Sequence, residues 1–159
     1  MISDQDFLYG AAFLKLINFG YKVTINHCNK IHSSLYLIET DKAKSLVLFK
    51  LSKKPKSAWS FTFSLQEDIA LKTLRDQYLN HPVFLALVCH KDGICCIAVD
   101  RVLDILDHTE NISGQYISVS RRPRGRYHIR GPGRQQMEGT VPQSDWPRII
   151  LSKSEKNYD

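Results

Sequence analysis

Residues 45–65, SLVLFKLSKKPKSAWSFTFSL, constrain the fold more than any other stretch. From Trp59 onward the pattern has period two. Trp59, Phe61, Phe63 and Leu65 take one face, and Ser60, Thr62 and Ser64 take the other. That is a strand with one buried side. Residues 46–51 are nearly all apolar, as in a strand covered on both faces. Lys50 interrupts this segment, and a lysine there is costly unless its ammonium reaches water, an acid or a phosphate. Lys53, Lys54 and Lys56 follow, then Trp59. Cations beside an aromatic ring suit nucleic acid; the competing reading is a solvated turn closed by a core tryptophan.

A chain of 159 residues is expected to form a single domain, residues 1–150, with a real core. The core is placed at 4–107, a basic hairpin and loop extension at 115–150, and a disordered tail at 151–159. No run of eighteen apolar residues occurs, so no transmembrane helix is expected. The start MISDQDFLYG lacks the pattern of a signal peptide. Cys28, Cys89, Cys95 and Cys96 make a poor disulfide framework, which suits a reducing cytoplasm.

Charge is unevenly spread. Residues 1–118 hold 13 Lys+Arg against 12 Asp+Glu, whereas residues 119–159 hold 9 against 4. Seven of the nine arginines lie at Arg121 or beyond. Guanidinium forks onto phosphate or a base edge, so this region reads as an anion-binding surface.

Along the chain, Ser3 or Asp4 can cap a helix over 4–18 that Gly20 stops. Strands are expected at 21–27, 34–39 and 46–51, with a fourth at 59–65, in an antiparallel-looking run. Ser64 with Glu67 has capping-box spacing and opens a second helix that ends near Asn80 and Pro82. Two apolar runs around Lys91-Asp92-Gly93 predict a hairpin. Residues 102–107 read as a short helix. Residues 115–120 and 126–130 read as strands about an RRPRG turn, and 131–147 as an ordered loop in which Trp146 must pack.

This order, helix, three or four strands, helix, strand, resembles the restriction-endonuclease-like superfamily of PD-(D/E)XK nucleases over roughly residues 4–99. The resemblance lies in element order rather than in a specific motif. It implies an α/β (α+β) fold, a central mixed sheet flanked by helices, here with a C-terminal β-hairpin extension. It also implies nucleic-acid binding and, in active members, acids and a lysine that bind Mg²⁺ and activate water. Lys50 stands where the family lysine belongs, but Leu48 replaces the acid two residues before it. Glu39, Asp41 and Glu67 (or Asp68) are the remaining candidates for metal ligands, with Asp4 or Asp6 further away in sequence.

Cys89, His90, Cys95 and Cys96 lack zinc spacing, and adjacent strand residues point to opposite faces, so buried thiols are the better reading. The arginine cluster Arg121, Arg122, Arg124, Arg126, Arg130 and Arg134 is the most specific functional signal. It interleaves with Tyr116, Tyr127 and His128, which could stack on bases. If Arg126, His128 and Arg130 share a strand, they share one face, with Tyr127 and Ile129 on the other. The competing reading pairs the arginines with body acids such as Asp104 and Asp107. The expected function is nucleic-acid binding, DNA ahead of RNA, through Lys53, Lys54, Lys56, Trp59 and the arginines, on a catalytically degenerate nuclease-like fold. An active Mg²⁺-dependent nuclease and a protein–protein adaptor are the alternatives. A homodimer or another protein partner is compatible with either, and no membrane contact is expected.

Overall fold

The computed structural model describes residues 1–107, 111–133 and 136–152. Five strands form the main sheet: β1 (Thr24–His27), β2 (Leu35–Glu39), β3 (Lys44–Ser52), β5 (Val83–Cys89) and β6 (Gly93–Ala98), in the order β1-β2-β3-β5-β6. Only β3 and β5 run parallel; every other neighbouring pair is antiparallel. The crossover between β3 and β5 carries β4 (Trp59–Thr62) and helix α2 (Leu65–Gln77). The sheet is therefore mixed, because a hairpin joins antiparallel strands while a parallel pair needs a long crossover.

β3 is buried along Ser45–Lys50, as its apolar run predicts. Its two faces feed two cores. Leu46 and Leu48 join Leu35, Leu85, Leu87 and Ile97 under α2 and the short helix α3 (Val99–Leu103). Val47 and Phe49 join Ile38, Ala86 and Val88 under helix α1 (Asp4–Asn18) and helix α4 (Asp145–Leu151). Both long helices open on a capping box, Ser3 with Asp6 and Ser64 with Glu67.

The strand at Trp59 does not continue the main sheet. β4 pairs with β7 (Tyr116–Ser120), and β7 with β8 (His128–Arg130), as a separate antiparallel sheet. Its one-sided apolar pattern suits a sheet with one open face. Trp59, Phe61, Ile117, Val119, Tyr127 and Ile129 all face the α2 side of the core, and the other face meets solvent.

α4 falls where a loop was expected. Trp146 finds its packing here: Nε1 donates to Ala12 O at 3.1 Å, and its ring meets Phe49 edge-on at 5.5 Å. Ser45 Oγ donates to Ile150 O at 2.9 Å, which ties the helix to the start of β3. The short helix after β6 starts at Val99 rather than at 102. Most of the expected disordered tail, 153–159, lies outside the described residues. No helix among the described residues is long and apolar enough to cross a membrane.

Candidate nucleic-acid interface

Lys50 sits on β3, and its ammonium is only slightly exposed. Nζ donates to Glu67 Oε1 at 2.7 Å, to Oε2 at 2.8 Å and to Thr62 O at 2.7 Å. The Phe63 ring lies 4.9 Å below it. Glu67 also accepts from Ser64 N at 2.8 Å, so one carboxylate both caps α2 and neutralises Lys50. An ammonium has three N–H groups, and three acceptor oxygens surround this one. The pair is a buried tie between β3, β4 and α2.

The expected metal set does not assemble around it. Glu39 pairs with Lys44 across β2 and β3, six residues before Lys50. At the strand rise that puts Glu39 roughly 20 Å from Lys50. Asp41 lies in the turn beyond β2. A hard cation needs its oxygens within about 2.0–2.6 Å, so Glu39, Asp41 and Glu67 do not fit one Mg²⁺ ion beside Lys50. Asp68 is occupied elsewhere, accepting from Ile112 N at 3.0 Å and pairing with Lys72 at 3.0 Å. Among the described residues, no three His, Cys, Asp or Glu side chains form a ligand group. Cys95 and Cys96 face opposite cores, as strand geometry requires.

Trp59 belongs to the core rather than to a stacking platform: it is 2 % exposed, and its Nε1 donates to Lys54 O at 2.8 Å. That bond closes the lysine loop. Lys53, Lys54 and Lys56 remain exposed, with Lys54 Nζ donating to Ala58 O at 2.9 Å. Lys53 lines a cleft of about 360 Å³ with His90 and Lys91 from the end of β5 and with Asp4, Phe7 and Leu8 of α1.

The arginines divide into two groups. Arg121 is structural. Its Nε and Nη2 grip Asp92 at 2.9 and 2.7 Å, and Tyr127 OH donates to the same carboxylate at 3.0 Å. Arg121 and the Tyr127 hydroxyl hold the Asp92 carboxyl below the usual carboxylate range, whereas burial pushes the Tyr127 phenol up. The acid that holds Arg121 is thus Asp92. Gly93 is required next to it: at φ +153° a Cβ would meet Gln143 Nε2 at 2.6 Å and Tyr127 OH at 2.7 Å. The Lys91-Asp92-Gly93 turn was legible in sequence, but its role as the anchor of Arg121 was not.

Arg122, Arg124, Arg126 and Arg130 are exposed. Arg134 lies outside the described residues. Arg126, His128 and Arg130 alternate with buried Tyr127 and Ile129, so the three polar side chains share the solvent face of β8 and its approach. Register extends that face across the sheet. Arg130 stands opposite Ser118, and Ser118 opposite Ser60; His128 stands opposite Ser120, and Thr62 opposite exposed Tyr116. No carboxylate occurs among these outward strand positions. The hydroxyl rows supply neutral donors beside the cations, a combination that suits phosphate oxygens. Sequence reasoning missed these serines and Thr62 because their alternation marked only which face was buried.

No protein-family model, curated protein or solved structure matches the chain.

Proposed function

We propose that this protein is a nucleic-acid-binding module built on a restriction-endonuclease-like core, and that it binds without cutting. The observation that carries the reading is the open face of the β4-β7-β8 sheet, where Arg126, His128 and Arg130 stand beside serine and threonine hydroxyls and Tyr116 with no acid among them. Arg126 and Arg130 would hold phosphates, and the Tyr116 ring would offer a stacking surface. The order α1, β1 to β3, α2, β5 agrees with the nuclease-like order of elements, and DNA is proposed ahead of RNA as the partner. Lys50 supports the non-catalytic half of the reading. Its N–H groups are taken up by Glu67 and Thr62, so it has no free donor with which to steady an attacking water.

The test is a titration of labelled duplex and single-stranded DNA and of RNA at several salt concentrations, with and without Mg²⁺. Binding should weaken steeply with salt. Arg126→Ala and Arg130→Ala should each lower the slope of log K against log salt by about 0.7–0.9, the share of one phosphate contact. No binding at micromolar protein near physiological salt would remove the reading. Mg²⁺-dependent cleavage that is lost in a Lys50→Ala variant still folded by circular dichroism would restore the active-nuclease alternative.

A further inference from the structure

We infer that the chain forms a two-fold symmetric homodimer through the outer face of α1. Seven of the eleven large hydrophobic side chains left exposed among the described residues lie in the first 21 positions. Phe7 is 65 % exposed, Leu14 57 % and Ile17 56 %, and Phe19 and Tyr21 continue the patch past the helix end. Tyr9, Ala12 and Leu16 take the buried side of α1. Phe7 and Leu14 are seven residues apart, two turns, and so form one stripe on the opposite side. Large apolar side chains exposed together on one helix face are a candidate contact surface.

The pattern of that stripe is self-complementary, which selects a second copy as the occupant. Consider an axis between Gly10 and Ala11, perpendicular to α1. Phe7 and Leu14 lie at equal distances from it, about 5 Å along the helix. Antiparallel pairing then sets Phe7 against the partner's Leu14, Leu14 against the partner's Phe7, and Gly10 against the partner's Ala11. Small residues at the crossing point allow close approach. Packing among the described residues does not call for Gly10: it lies inside the helix, and an added Cβ would meet none of them within 4 Å. A glycine there costs helix stability, which close packing of a partner helix would offset.

Charge gives the same register. Asp4 and Lys15 are eleven residues apart, three turns, and so share one flank of α1. Neither has an ion-pair partner among the described residues. Antiparallel pairing brings Asp4 within lysine reach of the partner's Lys15, and repeats the contact by symmetry. The same arrangement opposes the two helix dipoles favourably. A lipid surface fits worse, because α1 carries Asp4 and Asp6 against the single cation Lys15, whereas helices that lie on anionic bilayers are rich in lysine and arginine.

This interface does not depend on the nucleic-acid reading, and it leaves that face free. α1 covers one side of the main sheet and the β4-β7-β8 sheet lies on the other. A dimer through α1 therefore turns the two basic faces outward, as a bridge between two nucleic-acid segments rather than a clamp on one.

The experiment is sedimentation and light scattering from low to several hundred micromolar protein, with circular dichroism and thermal melts on each variant. Wild type should approach twice 18.3 kDa as concentration rises. Leu14→Glu and Gly10→Gln should be monomeric with unchanged spectra. Gly10→Gln should melt no lower than a monomeric control, since its side chain meets open space in one chain. Asp4→Lys should weaken association at least tenfold, and adding Lys15→Glu should restore it. A wild type that stays monomeric throughout overturns the inference. So does a dimer that Leu14→Glu and Gly10→Gln leave intact, or a monomer whose α1 face is captured by anionic phosphatidylserine vesicles.

Discussion

Replacing Lys50 with methionine should destabilise the fold by about 3–5 kcal/mol, the usual cost of removing one partner from a buried ion pair. The structure says why the cost falls at this end of the range. The side chains of Lys50 and Glu67 are 9 % and 10 % exposed, so water cannot replace the lost ammonium. Methionine fills the space of the lysine stem, so little of the cost is cavity. What remains is a Glu67 carboxylate held by Ser64 N alone, and a Thr62 carbonyl without its donor. Against a total stability of about 5–15 kcal/mol this is a large fraction. Urea unfolding followed by fluorescence of Trp59 and Trp146, both buried, should show the midpoint fall by roughly 1–3 M. Glu67→Gln keeps an acceptor for Ser64 N and the helix cap. The double variant Lys50→Met/Glu67→Gln should therefore recover at least half of the loss. A Lys50→Met midpoint within about 0.3 M of wild type, or a double variant whose loss is the sum of the two single losses, would refute the claim that the pair is a structural tie.

Two further expectations concern other parts of the molecule. Asp92→Asn should loosen the hold on Arg121 and Tyr127 and cost about 1 kcal/mol at neutral pH, since the pair is part-exposed and screened. The folded state lowers the Asp92 carboxyl below its ordinary value, so its contribution is present above the ordinary carboxylate range and lost as pH falls through the folded value. The gap between wild type and Asp92→Asn in urea midpoint should thus close in acid; a gap that widens below about pH 4 contradicts the assignment. A thiol reagent should label native protein at no more than Cys28. Burial pushes the thiols of Cys89, Cys95 and Cys96 up, and the reactive species is the thiolate. Rapid native labelling of any of these three would show that the main sheet opens.

Periodicity and capping chemistry determined much of the local structure. The apolar run at 46–51 meant a strand buried on both faces, and β3 has that position. Ser64 with Glu67 meant a helix start, and α2 begins there. The alternation 126–130 separated Arg126, His128 and Arg130 from Tyr127 and Ile129, and burial divides them in that way. These are properties of residues two to four apart, which the chain enforces before any tertiary contact exists.

Long-range partners were decided only by tertiary structure. Whether β4 pairs with β3 or with β7 depends on which edge can bury Trp59 and Phe61, and that is fixed by residues more than fifty positions away. The sequence alone named Lys50 as an anomaly but could not say that Glu67, rather than Glu39 or a phosphate, would meet it. Nor could it separate Arg121, which the Asp92 carboxylate claims, from Arg126 and Arg130, which face solvent. The physical reason is common to all three cases. A pattern says which face a side chain takes, whereas the partner of a buried charge is set by the distance between elements, and that exists only once the sheets have packed.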